Sequence, residues 1–196
     1  MATSTIATSL GVSDASVSGM LGKLSDLGLV SYTRYHGAQL TANGEQAALG
    51  LLRRPRLIET FLIEYLGYGW DKVHGEAEAL EHAVSDLFTE RLAVRLGHPS
   101  HDPHGDPIPK DDGTLLDTPD TPLTEVALNK VFFVWRLKTQ DADILSYFTD
   151  MGVCPGQHLE VQHREPVGGI LQVDIGGHPK VLSKELAVLV RGEIRD

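Results

Sequence analysis

Apolar residues recur every three to four positions near the start of the chain, which is the spacing of one face of an α-helix. The pattern predicts a short helix over residues 6–12 and a second helix over residues 15–27. Ser13 and Asp14 lie between the two and can cap the second helix, which Gly28 ends. We therefore expect a helix-turn-helix at the N-terminus.

Two short alternating runs, at residues 29–35 and 38–41, follow on either side of His36-Gly37. Alternation around a glycine turn is typical of a β-hairpin. A helix-turn-helix followed by such a hairpin is a winged helix-turn-helix, and we assign it to residues 1–48.

Residues 49–97 show helical periodicity with interruptions. Thr41 is placed to cap the first helix, and Pro55 is expected to interrupt or kink it because proline has no backbone N–H to donate. Glycines 67 and 69 break the pattern before a helix that begins near Trp70. The apolar surface exceeds what one helical layer can bury, so we expect a helical domain that forms a homodimer.

Proline, glycine and aspartate are dense over residues 98–122, which predicts a linker. Beyond it, a helix is predicted around residues 141–148, and short alternating runs, the last at residues 186–190, predict strands. Residues 123–196 have the size and pattern of a small SH3-like β-barrel. The expected fold is mainly α with a small β part: a winged helix-turn-helix, a helical dimerisation domain and a C-terminal SH3-like β-barrel.

The segment from His74 to His82 combines two imidazoles with two carboxylates. His74, Glu78, Glu81 and His82 stand at positions i, i+4, i+7 and i+8, which lie on one stripe of a helix. Carboxylate oxygen mixed with imidazole nitrogen, without thiolate, suits Mn(II), Fe(II) or Zn(II). The stripe therefore predicts a divalent metal site, and the alternative is an acidic helix face exposed to water.

His98, His101 and His104 in the linker are further candidate ligands. Histidines in such loops are commonly solvated and no recognised carboxylate spacing accompanies these three, so we favour a solvated loop over a metal site. Cys154, the one cysteine, is expected to be a packing residue and not a nucleophile or a ligand.

The formal net charge of −10 has the wrong sign for nucleic-acid binding, but the charge is unevenly distributed. Residues 1–60 carry five basic and four acidic side chains, so the rest of the chain carries a net charge of −11. A nearly neutral N-terminal domain joined to an acidic remainder is consistent with a DNA-binding domain followed by a region that binds cations. The second helix and the wing are expected to present the following residues to operator DNA: Ser13, Asp14, Ser16, Ser18, Gly19, Lys23, Arg34 and Tyr35.

The order of motifs along nearly the whole chain resembles the diphtheria-toxin-repressor family of metal-dependent transcriptional regulators. The resemblance rests on segments that are individually weak and collectively strong: Leu40 to Gly44, Lys72 to Ala77, Glu81-His82, Gly105 to Pro109 and the C-terminal barrel. It implies a dimeric repressor that controls metal-ion homeostasis and binds operator DNA when its metal sites are filled.

Within that resemblance, Glu78, Glu81 and His82 match the family's primary metal site, and Glu59 and His74 match its ancillary site. Glu78 stands where iron-type members have cysteine and where manganese-type members have glutamate. The resemblance and the hard carboxylate together favour Mn(II), with Fe(II) or another divalent transition metal as the alternative.

The chain departs from the family in two places, its N-terminal start and the composition of its ancillary site. The family's first helix, which supplies a further primary ligand and basic DNA contacts, has no counterpart before Ala2, so we expect the natural chain to start upstream. Pro55 stands where the family's ancillary site has a histidine. The family's C-terminal domain donates polar ligands, and the candidates for that role here are Arg136, Thr139, Gln140, Asp141 and Asp143.

Two other functions stay open at this point. A zinc-dependent hydrolase would carry H-x-x-E-H on a helix, but Glu78 stands where the first histidine is required and no substrate-pocket signal accompanies it. The second open function is that of a metal-independent winged-helix interaction module. The sequence has no secretory or membrane-spanning pattern, so we expect a cytoplasmic protein that is not an enzyme and has no membrane partner.

Overall fold

The computed structural model describes residues 1–33 and 36–195, without the side chain of Asp71. The chain forms two compact units, Met1–Leu52 and Arg53–Asp196. The first unit contains α1 (Thr3–Leu10), α2 (Asp14–Asp26), β1 (Val30–Thr33), β2 (Gly37–Leu40) and the first part of α3 (Ala42–Leu66). No helix among the described residues is long and apolar enough to cross a membrane.

The first unit is the predicted helix-turn-helix followed by a hairpin. Gly11 adopts a left-handed φ of 65° that ends α1, and the Ser13 hydroxyl accepts a hydrogen bond from the Ser16 amide, which caps α2. The strands β1 and β2 pair antiparallel. A small apolar core holds the helices against the hairpin and consists of Ala7, Val17, Leu21 and Val30.

The third helix, α3, runs without a break for 25 residues, so the interruption predicted at Pro55 is wrong. Proline removes only the hydrogen bond to the carbonyl four residues earlier, which belongs to the exposed Leu51 and is open to water. Thr41 caps the helix as predicted, because its hydroxyl accepts a hydrogen bond from the Gly44 amide at 3.1 Å.

Two further helices, α4 (Trp70–Glu81) and α5 (Asp86–Arg95), complete the helical part of the second unit. Their apolar faces and that of α3 share one core, which consists of Leu57, Ile58, Leu62, Val73, Ala77, Leu92, Ala93 and Ile108. Ile108 comes from the predicted linker, so part of that segment is folded into the helical core.

A six-stranded antiparallel sheet forms the rest of the second unit, in the spatial order β3, β8, β4, β5, β6, β7. The sheet and its two accompanying helices comprise β3 (Thr121–Pro122), β4 (Val131–Leu137), α6 (Ala142–Met151), β5 (His158–Arg164), β6 (Leu171–Ile175), β7 (His178–Leu182), α7 (Lys184–Ala187) and β8 (Val190–Arg195). Phe132 of β4 and Phe148 of α6 are fully buried in the core between sheet and helices.

The sheet differs from the predicted barrel. No pairing between β3 and β7 closes it in the part of the chain that the structure describes. The strand predicted at residues 186–190 is wrong, because α7 ends at Ala187 and β8 begins at Val190. The prediction also lacks β4, whose Val-Phe-Phe-Val-Trp sequence is apolar on both faces and so hides the alternation of a strand.

Candidate metal centre

Glu59 is a buried carboxylate on α3, with only 4% of its surface exposed. Its Oε1 accepts a hydrogen bond at 2.8 Å from Nδ1 of His74, which lies on α4. The structure thus brings together, across two helices, the two residues that the family resemblance matches to an ancillary site.

The other oxygen of Glu59 faces the loop that follows α5. His104 Nδ1 lies 3.7 Å from Glu59 Oε2, and ligand atoms of Glu59, Asp102 and His104 all lie within 4.8 Å of one another. All three side chains are buried. Across residues 1–33 and 36–195, no other three histidine, cysteine or acidic side chains come this close. We refer to these three residues as the Glu59 centre.

The second ring nitrogen of His104, Nε2, is buried and has no hydrogen-bond partner among the described residues. A buried polar atom without a partner costs about 1–3 kcal/mol, so native proteins rarely retain one without a reason. The Trp70 ring packs edge-on against His104, with ring centroids 5.4 Å apart. His104 therefore turns Nδ1 toward Glu59 and keeps Nε2 buried without a partner among the described residues.

The charges of the Glu59 centre depend on one another. Burial acts to raise the pKa of Glu59, but the nearby His104 imidazole and the hydrogen bond from His74 outweigh it and hold that pKa below its ordinary value. Burial and the neighbouring Asp106 carboxylate raise the pKa of Asp102 to about 7. Burial opposes the charge on His104, yet contact with Glu59 and Asp102 raises its pKa. At neutral pH the centre therefore holds protons that a bound cation would displace.

Asp102 shapes the loop as well as offering a ligand oxygen. Its Oδ1 accepts hydrogen bonds from the backbone amides of His104 and Asp106, both at 2.9 Å. Its Oδ2 lies 3.6 Å from Nε of Arg56, whose guanidinium also donates to the Pro107 carbonyl. Because Oδ1 is held by the loop, the side chain is oriented before any ligand arrives.

The donor atoms of the Glu59 centre fit a divalent cation. Two carboxylates and an imidazole, with no sulfur, suit Mn(II), Fe(II) or Zn(II). Sequence reasoning missed Asp102 and identified His104 only as a solvated residue, because the surrounding prolines and glycines indicate an irregular loop. The Asp-Pro-His spacing was the available signal, and it gains meaning only once the loop is placed beside Glu59.

The stripe on α4 is divided into two pairs in the structure. His74 Nε2 lies 3.5 Å from Glu78 Oε1, and His82 Nε2 lies 3.5 Å from Glu81 Oε1. The helix ends at Glu81, and His82 is its C-cap. The side chains of Glu78 and His82 are 64% and 85% exposed. Of the three residues assigned to the primary site, Glu78 and His82 therefore face water, whereas the Glu81 side chain is only 22% exposed.

The other histidine and C-terminal candidates are not part of the Glu59 centre. His101 Nε2 hydrogen-bonds the Thr118 hydroxyl at 3.0 Å, and His98 is exposed. Asp141 is the N-cap of α6, where its carboxylate accepts the amides of Asp143 and Ile144.

Six of the residues predicted to face DNA lie along α2, from Ser13 at its N-cap to Lys23 in its last turn. The Ser13 hydroxyl accepts a hydrogen bond from the Ser16 amide and also hydrogen-bonds the Ser16 hydroxyl, so the Ser13 side chain serves as the cap of α2. Asp14, Ser16, Gly19 and Lys23 are exposed, and Ser18 is half-buried. Arg34 and Tyr35 lie outside the described residues.

Three family models together match most of the chain. The iron dependent repressor N-terminal DNA binding domain matches residues 1–38, and the iron dependent repressor metal binding and dimerisation domain matches residues 41–110. The FeoA domain matches residues 121–193. The order of the three models follows the order of the hairpin unit, the helical part and the sheet.

The chain is similar over nearly its whole length to curated repressors and to solved repressor structures. The iron-dependent repressor IdeR of Mycobacterium tuberculosis is 31% identical over 205 residues, covering 96% of this chain and 86% of the relative. A manganese-dependent transcriptional repressor in complex with manganese has a TM-score of 0.86 and 38% identity, covering 96% of this chain and 88% of that chain. The diphtheria toxin repressor of Corynebacterium diphtheriae is 27% identical, with 96% and 86% covered. The chain therefore belongs to the iron-dependent repressor family, of which the diphtheria toxin repressor is a member.

Proposed function

We propose that this chain is a metal-dependent transcriptional regulator that controls metal-ion homeostasis and binds operator DNA when divalent cations occupy its metal sites. The observation that carries the proposal is the buried Glu59 centre, with its unpartnered His104 nitrogen, in a chain that also holds a helix-turn-helix with a wing. Because the family consists of transcriptional repressors, the chain is not a zinc-dependent hydrolase.

Mn(II) is the proposed effector. The donors of both candidate sites are carboxylate oxygens and imidazole nitrogens without thiolate, which suits a hard or borderline cation. The structural relative at 38% identity is manganese-dependent by name, whereas IdeR of Mycobacterium tuberculosis, at 31% identity, is named for iron. Fe(II) is the alternative effector, and it would be selected if it strengthened operator binding at a lower free concentration than Mn(II) does.

Two metal sites are proposed. The Glu59 centre, with His74 against Glu59, is supported by burial and by the distances between its donor atoms. The primary site of Glu78, Glu81 and His82 is supported by the family resemblance and by the position of all three at the end of α4. When bound, the cation supplies a positive charge that holds several donors at once.

The proposed domains are a DNA-binding domain (1–48), a metal-binding and dimerisation domain (49–97), a linker (98–122) and an SH3-like domain (123–196). Homodimerisation through α5 is supported by its exposed apolar residues, because Leu87 and Val94 lie seven residues apart on one stripe and Phe88 lies beside them.

Light scattering of the full chain tests the dimer. Leu87→Glu should yield monomers, whereas Val167→Glu, which changes an even more exposed apolar residue far along the sequence, should remain dimeric. A dimer that survives the Leu87 change would remove α5 from the interface.

The proposed mechanism is a linkage between cation and DNA binding. The helices α3 and α4 and the loop at residues 102–109 contribute donors to the Glu59 centre or contact it, so a cation there favours one arrangement of the three. In a dimer, that arrangement would hold two recognition helices about 34 Å apart, one turn of DNA. A coupling of about 1–3 kcal/mol, typical of such linkage, changes operator affinity roughly 5- to 150-fold.

Equilibrium dialysis and a gel-shift titration test the proposal together. With a DNA probe from the region upstream of the gene, saturating Mn(II) should strengthen binding and chelator should reverse it. His104→Ala should lose much of the response, while His163→Ala, which removes a half-exposed histidine on β5, should keep it. Equal DNA binding with metal and with chelator would instead identify a metal-independent interaction module.

A further inference from the structure

The loop that carries Asp102 and His104 is held together internally. The Asp102 amide donates to the Asp106 carbonyl at 2.9 Å, the Gly105 amide donates to the Asp102 carbonyl at 3.0 Å, and the Asp102 carboxylate binds two further amides. These bonds fix His104 relative to Asp102. They do not fix either residue relative to Glu59, which lies on a different element.

The strand β4 of the C-terminal sheet provides the platform for this loop. The Leu137 amide donates to the His104 carbonyl at 3.0 Å. The backbone of Gly105 lies so close to β4 that a Cβ at this position would be 1.8 Å from the Trp135 carbonyl oxygen. The pairing of β4 with β8 shifts register between Val134 and Arg136, so the contact occurs where the ladder is irregular.

Arg136, the next residue of β4, joins the loop to the sheet by charge. One terminal nitrogen of its guanidinium donates to Asp106 Oδ1 at 3.0 Å, and its other terminal nitrogen donates to Asp120 Oδ1 at 2.6 Å. The side chains of Arg136 and Asp106 are only 18% and 25% exposed, so water weakens this pair less than a surface pair. Asp120 also lies near Lys138, and its backbone carbonyl accepts a hydrogen bond from Arg191. These contacts hold Asp120, the second partner of Arg136, against the sheet.

We propose that Arg136 is a positioning residue for the Glu59 centre, holding the loop through Asp106 so that His104 and Asp102 reach Glu59. The C-terminal sheet thereby sets the cation affinity of a centre to which it contributes no ligand among the described residues. The inference rests on the proposed function, because it takes the Glu59 centre to bind a cation. Residues that orient metal ligands from outside the coordination shell commonly change metal affinity by about 10- to 100-fold when replaced.

Simple electrostatics makes the opposite prediction for Arg136. Removing a positive charge near a cation site lowers repulsion and should strengthen metal binding. Positioning requires that the same change weaken binding. The sign of the effect therefore distinguishes the two explanations.

The test is calorimetric titration of the full chain with Mn(II). His104→Ala should abolish one binding phase, which identifies the Glu59 centre in the titration. Arg136→Gln should weaken the affinity of that same phase by about 10-fold. Arg136→Lys keeps the charge but not the two-armed guanidinium, so it should also weaken binding, by a smaller factor. Lys138→Gln is the matched control: it removes a nearby positive charge that contacts Asp120 but not Asp106, and should leave affinity equal or slightly higher.

A double-mutant cycle with Asp106→Asn separates positioning from general destabilisation. In the Asp106→Asn background, Arg136→Gln should have no further effect on Mn(II) affinity. Equal or tighter binding by Arg136→Gln, or full additivity in the cycle, overturns the proposal. If Arg136→Gln does not fold, unchanged affinity in Arg136→Lys overturns it instead. If His104→Ala itself leaves every binding phase intact, the Glu59 centre is wrong and the proposed function loses its main support.

Discussion

The Glu59 centre and the stripe on α4 offer the same kinds of donor atom in opposite surroundings. At the centre, the side chains of Glu59 and His104 are 5% and 4% exposed, whereas Glu78 and His82 on the stripe are 64% and 85% exposed. Buried donors are fixed by their neighbours, and exposed donors lose side-chain freedom when they gather around an ion. The Glu59 centre is therefore organised before a cation arrives, whereas Glu78 and His82 of the stripe have to be ordered by the cation itself.

The largest effect that sharpens this contrast is expected for His104→Ala. Replacing a residue that only orients metal ligands weakens metal binding by up to about 100-fold. His104 is itself one of three buried donors, so its loss should weaken Mn(II) binding at the Glu59 centre by at least that factor. Calorimetric titration measures this loss of affinity. His82→Ala is the comparison, because it leaves the Glu59 centre intact and should keep the binding phase of that centre. Two variants with the same loss would mean that the centre and the stripe are one site.

The next prediction concerns Asp102→Asn in the metal-free protein. A carboxyl whose pKa is raised in the folded state loses folding free energy as pH rises from its unfolded value, 3.8, to its folded value of about 7. This shift corresponds to about 4 kcal/mol at pH 8, and because asparagine also loses the ion pair with Arg56, it should raise the free energy of unfolding there by about 1–3 kcal/mol. The loop amides retain their acceptor on the asparagine oxygen.

Urea denaturation at two pH values measures this gain. At pH 4 the wild-type carboxyl is largely protonated in the folded state and the gain should nearly vanish. The same variant should bind Mn(II) more weakly, which would show that the buried carboxylate is kept for the cation at the expense of stability. A variant that is less stable at pH 8 than the wild type would contradict the burial argument.

A smaller effect is expected on the stripe. Glu81→Gln and His82→Ala should each lower Mn(II) affinity by about 10-fold, or 1.4 kcal/mol, without unfolding the chain, because the remaining exposed donors can rearrange around the ion. Thermal unfolding followed by circular dichroism is the control for folding. Unchanged binding in both variants would remove them from the primary site.

The smallest expected change is one of metal preference. Glu78→Cys replaces a hard oxygen with a soft sulfur, so the ranking should move from Mn(II) toward Fe(II) or Zn(II). Competitive titration of two metals measures the ranking. If the order of affinities stays the same, position 78 does not set selectivity.

Periodicity predicts the parts of this molecule that depend on one segment at a time. The helix-turn-helix, the hairpin and α4 follow from spacing and caps, and the Glu59–His74 contact agrees with the ancillary pair expected from the family resemblance. The winged module needs only neighbouring residues to be recognised. These elements are encoded locally.

The remaining donors of the centre depend on contacts between distant segments. Asp102 lies 43 positions after Glu59 in the sequence, and its loop is placed by β4, a strand that the sequence pattern does not reveal. At Pro55 the sequence predicted an interruption that the structure does not have, because a helix packed against its neighbours tolerates one lost backbone hydrogen bond. Composition identified the loop as irregular but not as buried.

The close approach of Gly105 to β4 has a consequence for genetics. Its backbone has a φ of 86°, and any side chain would place a carbon 1.8 Å from the Trp135 carbonyl oxygen, so every substitution must move the loop. In a screen of random variants for loss of repression, Gly105 should therefore appear among the most intolerant positions, alongside the ligands, although it donates no atom to a cation.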